Sequence, residues 1–179
     1  GQIDTLEETS PGNYQTTFLT GIPSHTYQLY VNAANNIFTA TCTMPFFVKL
    51  DSLYTQKSSF RGNKYQLVPV YSDPATLGNY YHFKEIKNDT EIGSEPLRND
   101  NLINGQTVKQ PIGGGLSAGD FVTLNFECID SAMYQYYFTL AQTKNQNSAT
   151  PANPISNIKG GALGYFSAHT LDSKHIIVQ

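Results

Sequence analysis

The feature of this chain that most constrains its fold is the alternation of apolar and polar residues with a period of two. In the clearest example, residues 122–128, the apolar side chains of Val122, Leu124, Phe126 and Cys128 are separated by polar ones. Successive side chains of a β-strand point to opposite faces, so the pattern predicts a strand with one face in the core. Similar stretches recur between turns, and the chain is therefore expected to be built from short β-strands.

Residues 1–45 are predicted to contain two β-hairpins. The first turns at Ser10-Pro11-Gly12-Asn13 and the second at Asn35-Asn36, since these residue types favour turns. Pro45 has no N–H to donate and ends the second hairpin. The chain is thus divided into two packed parts, 1–45 and 46–179. The apolar rows of the second hairpin are Tyr27, Leu29 and Val31 on one strand, and Phe38, Ala40, Cys42 and Met44 on the other.

One segment departs from the period of two. Asp130 is a good N-cap, and apolar residues then recur at helical spacing, which predicts a single amphipathic helix over residues 131–142. The fold class predicted is all-β, with a mainly antiparallel β-sandwich architecture and this one helix near the C-terminal third.

The remaining segments give weaker patterns. Residues 87–104 are polar and poorly periodic, which predicts an excursion loop with one short strand. Pro69 suggests an edge strand or a bulge in the strand that contains it. Residues 145–158 carry two prolines and are predicted to be a loop, and 163–178 to form a last hairpin around Asp172-Ser173.

Composition excludes several classes of protein. Charged residues are only 14% of the chain, the formal net charge is -3, and no Lys/Arg cluster is present, so nucleic-acid binding is not expected. No apolar run approaches the ~20 residues of a membrane span, and the N-terminus lacks the basic and apolar regions of a signal peptide. These features favour a soluble globular module.

Residues 115–119 match the G-x-S-x-G pattern of serine hydrolases, with Ser117 as the candidate nucleophile. In a nucleophile elbow a strand precedes the serine and a helix follows it. Here glycines precede Ser117 and a strand follows, so the pattern favours a turn. A hydrolase that uses Ser117 remains an alternative function, but no catalytic residue is nominated.

No metal or cofactor site is predicted. His169 and His175 would meet across the last hairpin only if its loop has three residues, and no third ligand is near them in sequence. Cys42 and Cys128 both lie in apolar rows, where each is either a buried free thiol or half of one disulfide.

Two groups of tyrosines are candidates for a binding surface. Tyr80-Tyr81 and Tyr134-Tyr136-Tyr137 are of the kind that lines sugar or peptide sites, although core or rim packing is the commoner role of such residues.

Several motifs together resemble domain of unknown function 4249, a family of Bacteroidota cell-envelope lipoproteins. The most specific is NIKGGALGYFSA at 157–168. The others are LEETSPGNY at 6–14, TCTMP at 41–45 with LDSLY at 50–54, GNYYHF at 78–83, the Ile129-Asp130 entry to the Tyr-rich helix, and ANP at 152–154.

This resemblance implies an outer-membrane or periplasmic lipoprotein that is often encoded beside a TonB-dependent receptor, with no established catalytic residue. It also implies that residues 1–45 are the last four strands of a transthyretin-like or carboxypeptidase-regulatory-like β-sandwich, with an N-terminal lipid and further strands upstream. The function expected is a non-enzymatic module that assists such a receptor in ligand binding or uptake. A purely structural or adhesive surface domain is a further alternative.

Two further expectations concern modification and self-association. Asp4-Thr5-Leu6 and Asp51-Ser52-Leu53 resemble the O-glycan acceptor of exported Bacteroidota proteins, which makes Thr5 and Ser52 candidate sites. Asp130-Ser131-Ala132 has the same pattern, but it is also a helix start. Without upstream strands, residues 1–45 would either fold onto the second part or pair with a second copy through exposed strand edges.

Overall fold

The protein is described by a computed structural model that covers residues 1–92, 96–144 and 153–179. The predicted fold class is confirmed, since the described residues form antiparallel sheets and one helix. The elements are β1 (Glu7–Ser10), β2 (Asn13–Gln15), β3 (Thr26–Ala33), β4 (Asn36–Thr43), β5 (Leu50–Lys57), β6 (Tyr65–Ser72), β7 (Tyr80–Lys87), β8 (Thr90–Glu91), β9 (Leu97–Asn99), β10 (Thr107–Lys109), β11 (Ile112–Leu116), β12 (Phe121–Ile129), α1 (Ser131–Lys144) and β13 (Thr170–Ile177).

The first sheet of the sandwich is centred on β6. Strand β5 pairs with one edge of β6, while β10 and β11 pair with it at successive positions. Of the two alternatives predicted for Pro69, an edge strand or a bulge, the edge strand is therefore wrong, since β6 is paired on both sides. The β10 ladder ends at Val70 and the β11 ladder begins at Leu67, so Pro69 lies level with the break between them, where an N–H is not needed.

The second sheet has the order β13-β12-β7, and both β8 and β9 pair with β7. The alternation in β12 is confirmed, because Val122, Leu124 and Phe126 are fully buried between the two sheets. Phe126 is the centre of an aromatic cluster, with its ring centroid 4.7 Å from that of Tyr71 and 5.2 Å from that of Phe83. This cluster forms the middle of the core.

Helix α1 covers part of the outer face of the second sheet. It begins at Ser131, as predicted, and ends two residues later than predicted. Asp130 caps it, since its Oδ1 accepts from the Met133 N–H at 2.9 Å. Met133 and Tyr137 pack with Ile129 in a small second apolar cluster. Among the described residues, no helix has the length and apolar character needed to cross a membrane.

Residues 1–45 form two separate two-stranded sheets, β1-β2 and β3-β4. Strand β4 lies against the segment 157–168, because Thr39 and Lys159 exchange backbone hydrogen bonds of 3.1 and 2.7 Å. Gly160 is required at this contact: its φ is +104°, and a Cβ there would collide with the carbonyl of Ile37. The predicted domain boundary after residue 45 stays a prediction.

The predicted turn at Asp172-Ser173 is wrong. Strand β13 runs through both residues and pairs with β12 from Phe121 to Cys128. Both polar side chains have partners that keep them in the strand. Asp172 Oδ2 accepts from the Leu50 N–H at 2.8 Å, and Ser173 Oγ donates to Asn125 Oδ1.

The polar stretch 87–104 has more structure than was predicted, since it contains both β8 and β9. Asp100, which lies in this predicted loop, is 1% exposed. The predicted loop over 145–158 lies largely outside the described residues; residues 153–158 of it are not in a strand or helix.

Candidate functional site

A cleft of about 290 Å³ opens where the end of β4 and the segment after it meet the second sheet and the start of α1. Its apolar wall is formed by Pro45, Phe46, Val48, Tyr80 and Ile129. Phe46 is 72% exposed, so its ring is available to a ligand. Pockets between two parts of a chain are common binding sites.

The polar side of the cleft is held in place by Asp100, whose carboxylate lies behind it. Asp100 Oδ2 accepts from the N–H of Gly78 at 2.7 Å and from the N–H of Asn79 at 2.9 Å. The Asn79 side chain donates to the same oxygen at 3.1 Å. The buried carboxylate of Asp100 thus holds Gly78 and Asn79 in place, and these two residues form a preorganised rim of the cleft.

The start of α1 supplies the remaining polar groups, Asp130 and Ser131, and Thr43 faces them from β4. Asp130 is occupied as the helix cap and also bonds the thiol of Cys42. Its negative charge disfavours an anion in this cleft. The neutral groups that remain are hydroxyls and an amide, which suit a ligand rich in hydroxyl groups.

The two cysteines are free thiols in the structure, and both are buried. Burial raises the pKa of Cys42 to about 12, and the hydrogen bond to Asp130 adds to this effect. Burial also raises the pKa of Cys128. The Ala168 N–H donates to Cys42 Sγ at 3.1 Å. Both thiols are therefore protonated and unreactive at neutral pH, and the disulfide stays a prediction.

A cluster of ionisable side chains lies on the outer face of the second sheet, around Glu127. Glu127 Oε2 accepts from His82 Nδ1 at 2.8 Å, and Glu127 Oε1 lies 3.5 Å from Lys84 Nζ and 4.0 Å from His169 Nε2. Because an ionised carboxylate can only accept, His82 Nδ1 carries the proton. The ring of Tyr137 stacks on His82 with centroids 4.2 Å apart.

Burial by itself would raise the pKa of Glu127. The hydrogen bond and charge of His82, with the charges of His169 and Lys84, outweigh burial and lower it. The sequence did not indicate this cluster, because Glu127 is on the polar face of an alternating strand. On this face Glu127 is surrounded by His82, Lys84 and His169, and the residue is only 5% exposed.

Ser117 lies in a turn between β11 and β12, as its flanking glycines predicted. Its N–H donates to Asp120 Oδ2 at 2.8 Å, and its carbonyl accepts from the Asp120 N–H. The exposed ammonium of Lys64 donates to Ser117 Oγ at 2.9 Å. An ammonium that donates this bond is not a base for the serine proton.

The other predicted sites lie apart from the cleft, except one. Thr5 and Ser52 are both exposed, so an O-glycan has access to each and remains a prediction. Ser131, the weaker candidate, is the first residue of α1 and lines the cleft.

The two histidines predicted to meet in a hairpin belong to one strand instead. His169 directly precedes β13 and faces Glu127, while His175 lies within β13 and packs on Phe121. In the described parts of the chain, no group of three His, Cys, Asp or Glu is placed to hold a metal.

The tyrosine groups divide between core and site. Tyr80 and Tyr81 both line the cleft. Tyr80 packs on Tyr134, with ring centroids 5.0 Å apart, while Tyr81 is fully buried and also belongs to the core. The adjacent tyrosines in the sequence therefore indicated an aromatic wall, but not how each ring divides between the cleft and the core.

Comparison with protein-family models, with curated proteins and with solved structures finds no match to this chain. The described residues form an all-β protein, and this cleft is a candidate binding site. The resemblance to a lipoprotein family rests on the sequence motifs alone.

Proposed function

We propose that this chain is a non-enzymatic module of a cell-envelope lipoprotein that assists a TonB-dependent receptor in binding or taking up its ligand. The observation that carries the proposal is the cleft between β4 and the second sheet, with an exposed aromatic ring on one side and a fixed polar rim on the other. The lipid tether and the receptor come from the family resemblance of the sequence motifs.

The chemistry of the cleft favours an uncharged ligand rich in hydroxyl groups, such as an oligosaccharide. Phe46 and Tyr80 offer apolar ring faces, and the hydroxyls of Thr43 and Ser131 offer donors and acceptors around them. Asn79 offers its amide oxygen, because its Nδ2 donates to Asp100 and to the Thr76 carbonyl. Asp130 and the net charge of -3 disfavour anionic ligands.

A binding role is also supported by the structural contacts of Ser117, the candidate nucleophile, and of two reactive side-chain types in or near the cleft, Cys42 and Asp130. Cys42 is a protonated thiol, Asp130 caps a helix, and Ser117 accepts a bond from an ammonium. Each of these groups is engaged in a structural contact.

Replacing Phe46 with Ala is expected to weaken binding of a neutral oligosaccharide by about fivefold, because a lost stacking contact is worth about 1 kcal/mol. The measurement is binding of the purified chain to an array of neutral oligosaccharides, followed by titration calorimetry with the best binder. Phe47→Ala is the matched control: Phe47 is the neighbouring exposed aromatic residue but does not line the cleft. An equal loss for both variants, or no binding at all, contradicts the cleft as the site.

The receptor is tested separately with the full-length lipoprotein in its native host. A tagged copy is expected to co-purify with an outer-membrane receptor from detergent extracts. A copy that is recovered at the cell surface without any receptor supports the structural or adhesive alternative instead.

A further inference from the structure

Strand β3 has a free edge. In the described part of the chain it pairs only with β4, and none of its backbone groups bonds to any other segment. The strand has eight residues, none of them charged or proline. Protein edge strands usually carry charges, prolines or bulges that prevent pairing with another strand. Strand β3 carries neither a charge nor a proline.

The hydrogen-bond pattern of β4 shows which backbone groups of β3 point outward. Thr39 uses both its N–H and its carbonyl to bond Lys159, so it makes no backbone bond to Tyr30, its partner on β3. Since bonded and non-bonded pairs alternate in an antiparallel ladder, Tyr30 and Gln28 direct their N–H and carbonyl groups to the free edge. Both residues are exposed.

These outward groups match a second copy of themselves. If two β3 strands meet antiparallel about a two-fold axis at Leu29, Gln28 of each copy lies opposite Tyr30 of the other and exchanges both bonds. Leu29 then meets Leu29 of the other copy. On the same face Tyr27 meets Val31, so the apolar row is continuous across the junction.

We propose that β3 is a self-pairing edge, through which two copies of this chain form a four-stranded sheet with the order β4-β3-β3-β4. The hairpin from Thr26 to Thr43 contains no charged residue, so two copies approach without like-charge repulsion at the junction. Val31, at 39% exposure, and the half-buried Leu29 become covered in the pair.

A cysteine at the axis tests the register. In the proposed pair the Cα atoms of the two Leu29 residues are about 4.5 Å apart, within the range of a disulfide. Leu29→Cys is therefore expected to give a disulfide-linked dimer under mild oxidation. Val31→Cys is the matched control on the same face, because its symmetry mate is too distant. Non-reducing electrophoresis measures the fraction of disulfide-linked dimer. The wild type, treated in the same way, shows how much dimer the native cysteines form. Equal cross-linking of the two variants, or none, overturns the register.

Charge substitutions at the exposed pair test the association without touching the apolar row. The wild type is expected to be a dimer at about 100 µM by light scattering. Gln28→Lys with Tyr30→Lys places like charges opposite each other and is expected to give a monomer. Gln28→Glu with Tyr30→Lys restores complementary charges and the dimer. A wild type that stays monomeric at this concentration, or a double-lysine variant that stays dimeric, overturns the proposal.

Discussion

Replacing Glu127 with Gln is expected to lower the free energy of unfolding by about 3 kcal/mol at pH 7, because one partner of a buried ion pair is removed. Glu127 receives a hydrogen bond from His82, which is fully buried, and its Oε1 lies 3.5 Å from the ammonium of Lys84, its ion-pair partner. The amide keeps the shape of the side chain but not its charge. Urea denaturation followed by circular dichroism measures the change.

The pH dependence distinguishes this effect from a loss of packing. The pKa of Glu127 is lowered in the folded protein, so its contribution is present above the ordinary pKa of Glu, about 4.3, and is lost as the pH falls through the folded value. The cost of Glu127→Gln should therefore shrink in acid. Glu7→Gln, on the exposed strand β1, is the control and should change little. A cost that is constant with pH would show that charge is not its origin.

The parts of the fold that the sequence predicted are those set by local pattern. In β12 the alternating residues Val122, Leu124, Phe126 and Cys128 face the core, because alternation in one strand suffices to assign its faces. Helix α1 begins where its N-cap Asp130 was identified, since the cap and the helical spacing are both local.

The errors come from contacts between segments distant in sequence. Asp172 resembled a turn residue, but it bonds the backbone of Leu50 across the fold. Pro69 is tolerated inside the first sheet because two other strands leave a break beside it. No local pattern contains this information, which depends on how the strands are arranged.

The site was predictable only in part for the same reason. Tyr80 was a candidate from its residue type, but Phe46 and Asp100 join the cleft through chain segments far apart in sequence. The role of Asp100 was missed because it lies in a mostly polar, poorly periodic stretch, and such stretches usually indicate solvated loops.

A second glutamate of this sheet has the opposite environment. Glu85 is 1% exposed on the core face of β7, and within the described residues neither carboxylate oxygen has a hydrogen-bond partner. The glycine run of β11 lies against it: a Cβ at Gly113, where φ is +61°, would collide with the carboxylate. Burial raises the pKa of Glu85 to about 7.

Replacing Glu85 with Gln is therefore expected to stabilise the protein at pH 8 by about 3 kcal/mol more than it does at about pH 4. With a folded pKa of about 7 and an unfolded value of 4.5, the folded protein holds the extra proton between these two values. The stability of the wild type thus falls as the pH rises through this window and is constant above it. The amide does not titrate, so the variant lacks this fall.

Urea denaturation at intervals from about pH 4 to 8 measures the difference between the wild type and Glu85→Gln, with Glu7→Gln again as the exposed control. The difference should grow steadily to about pH 7 and then level off, because Glu85 is ionised in both states above that value. Parallel curves for the wild type and Glu85→Gln would mean that the carboxylate reaches water or a cation in the folded state. For each variant, the difference in free energy of unfolding from the wild type can be plotted against pH. Opposite slopes of these plots for Glu85→Gln and Glu127→Gln would show that the two faces of one sheet hold their glutamates in opposite protonation states.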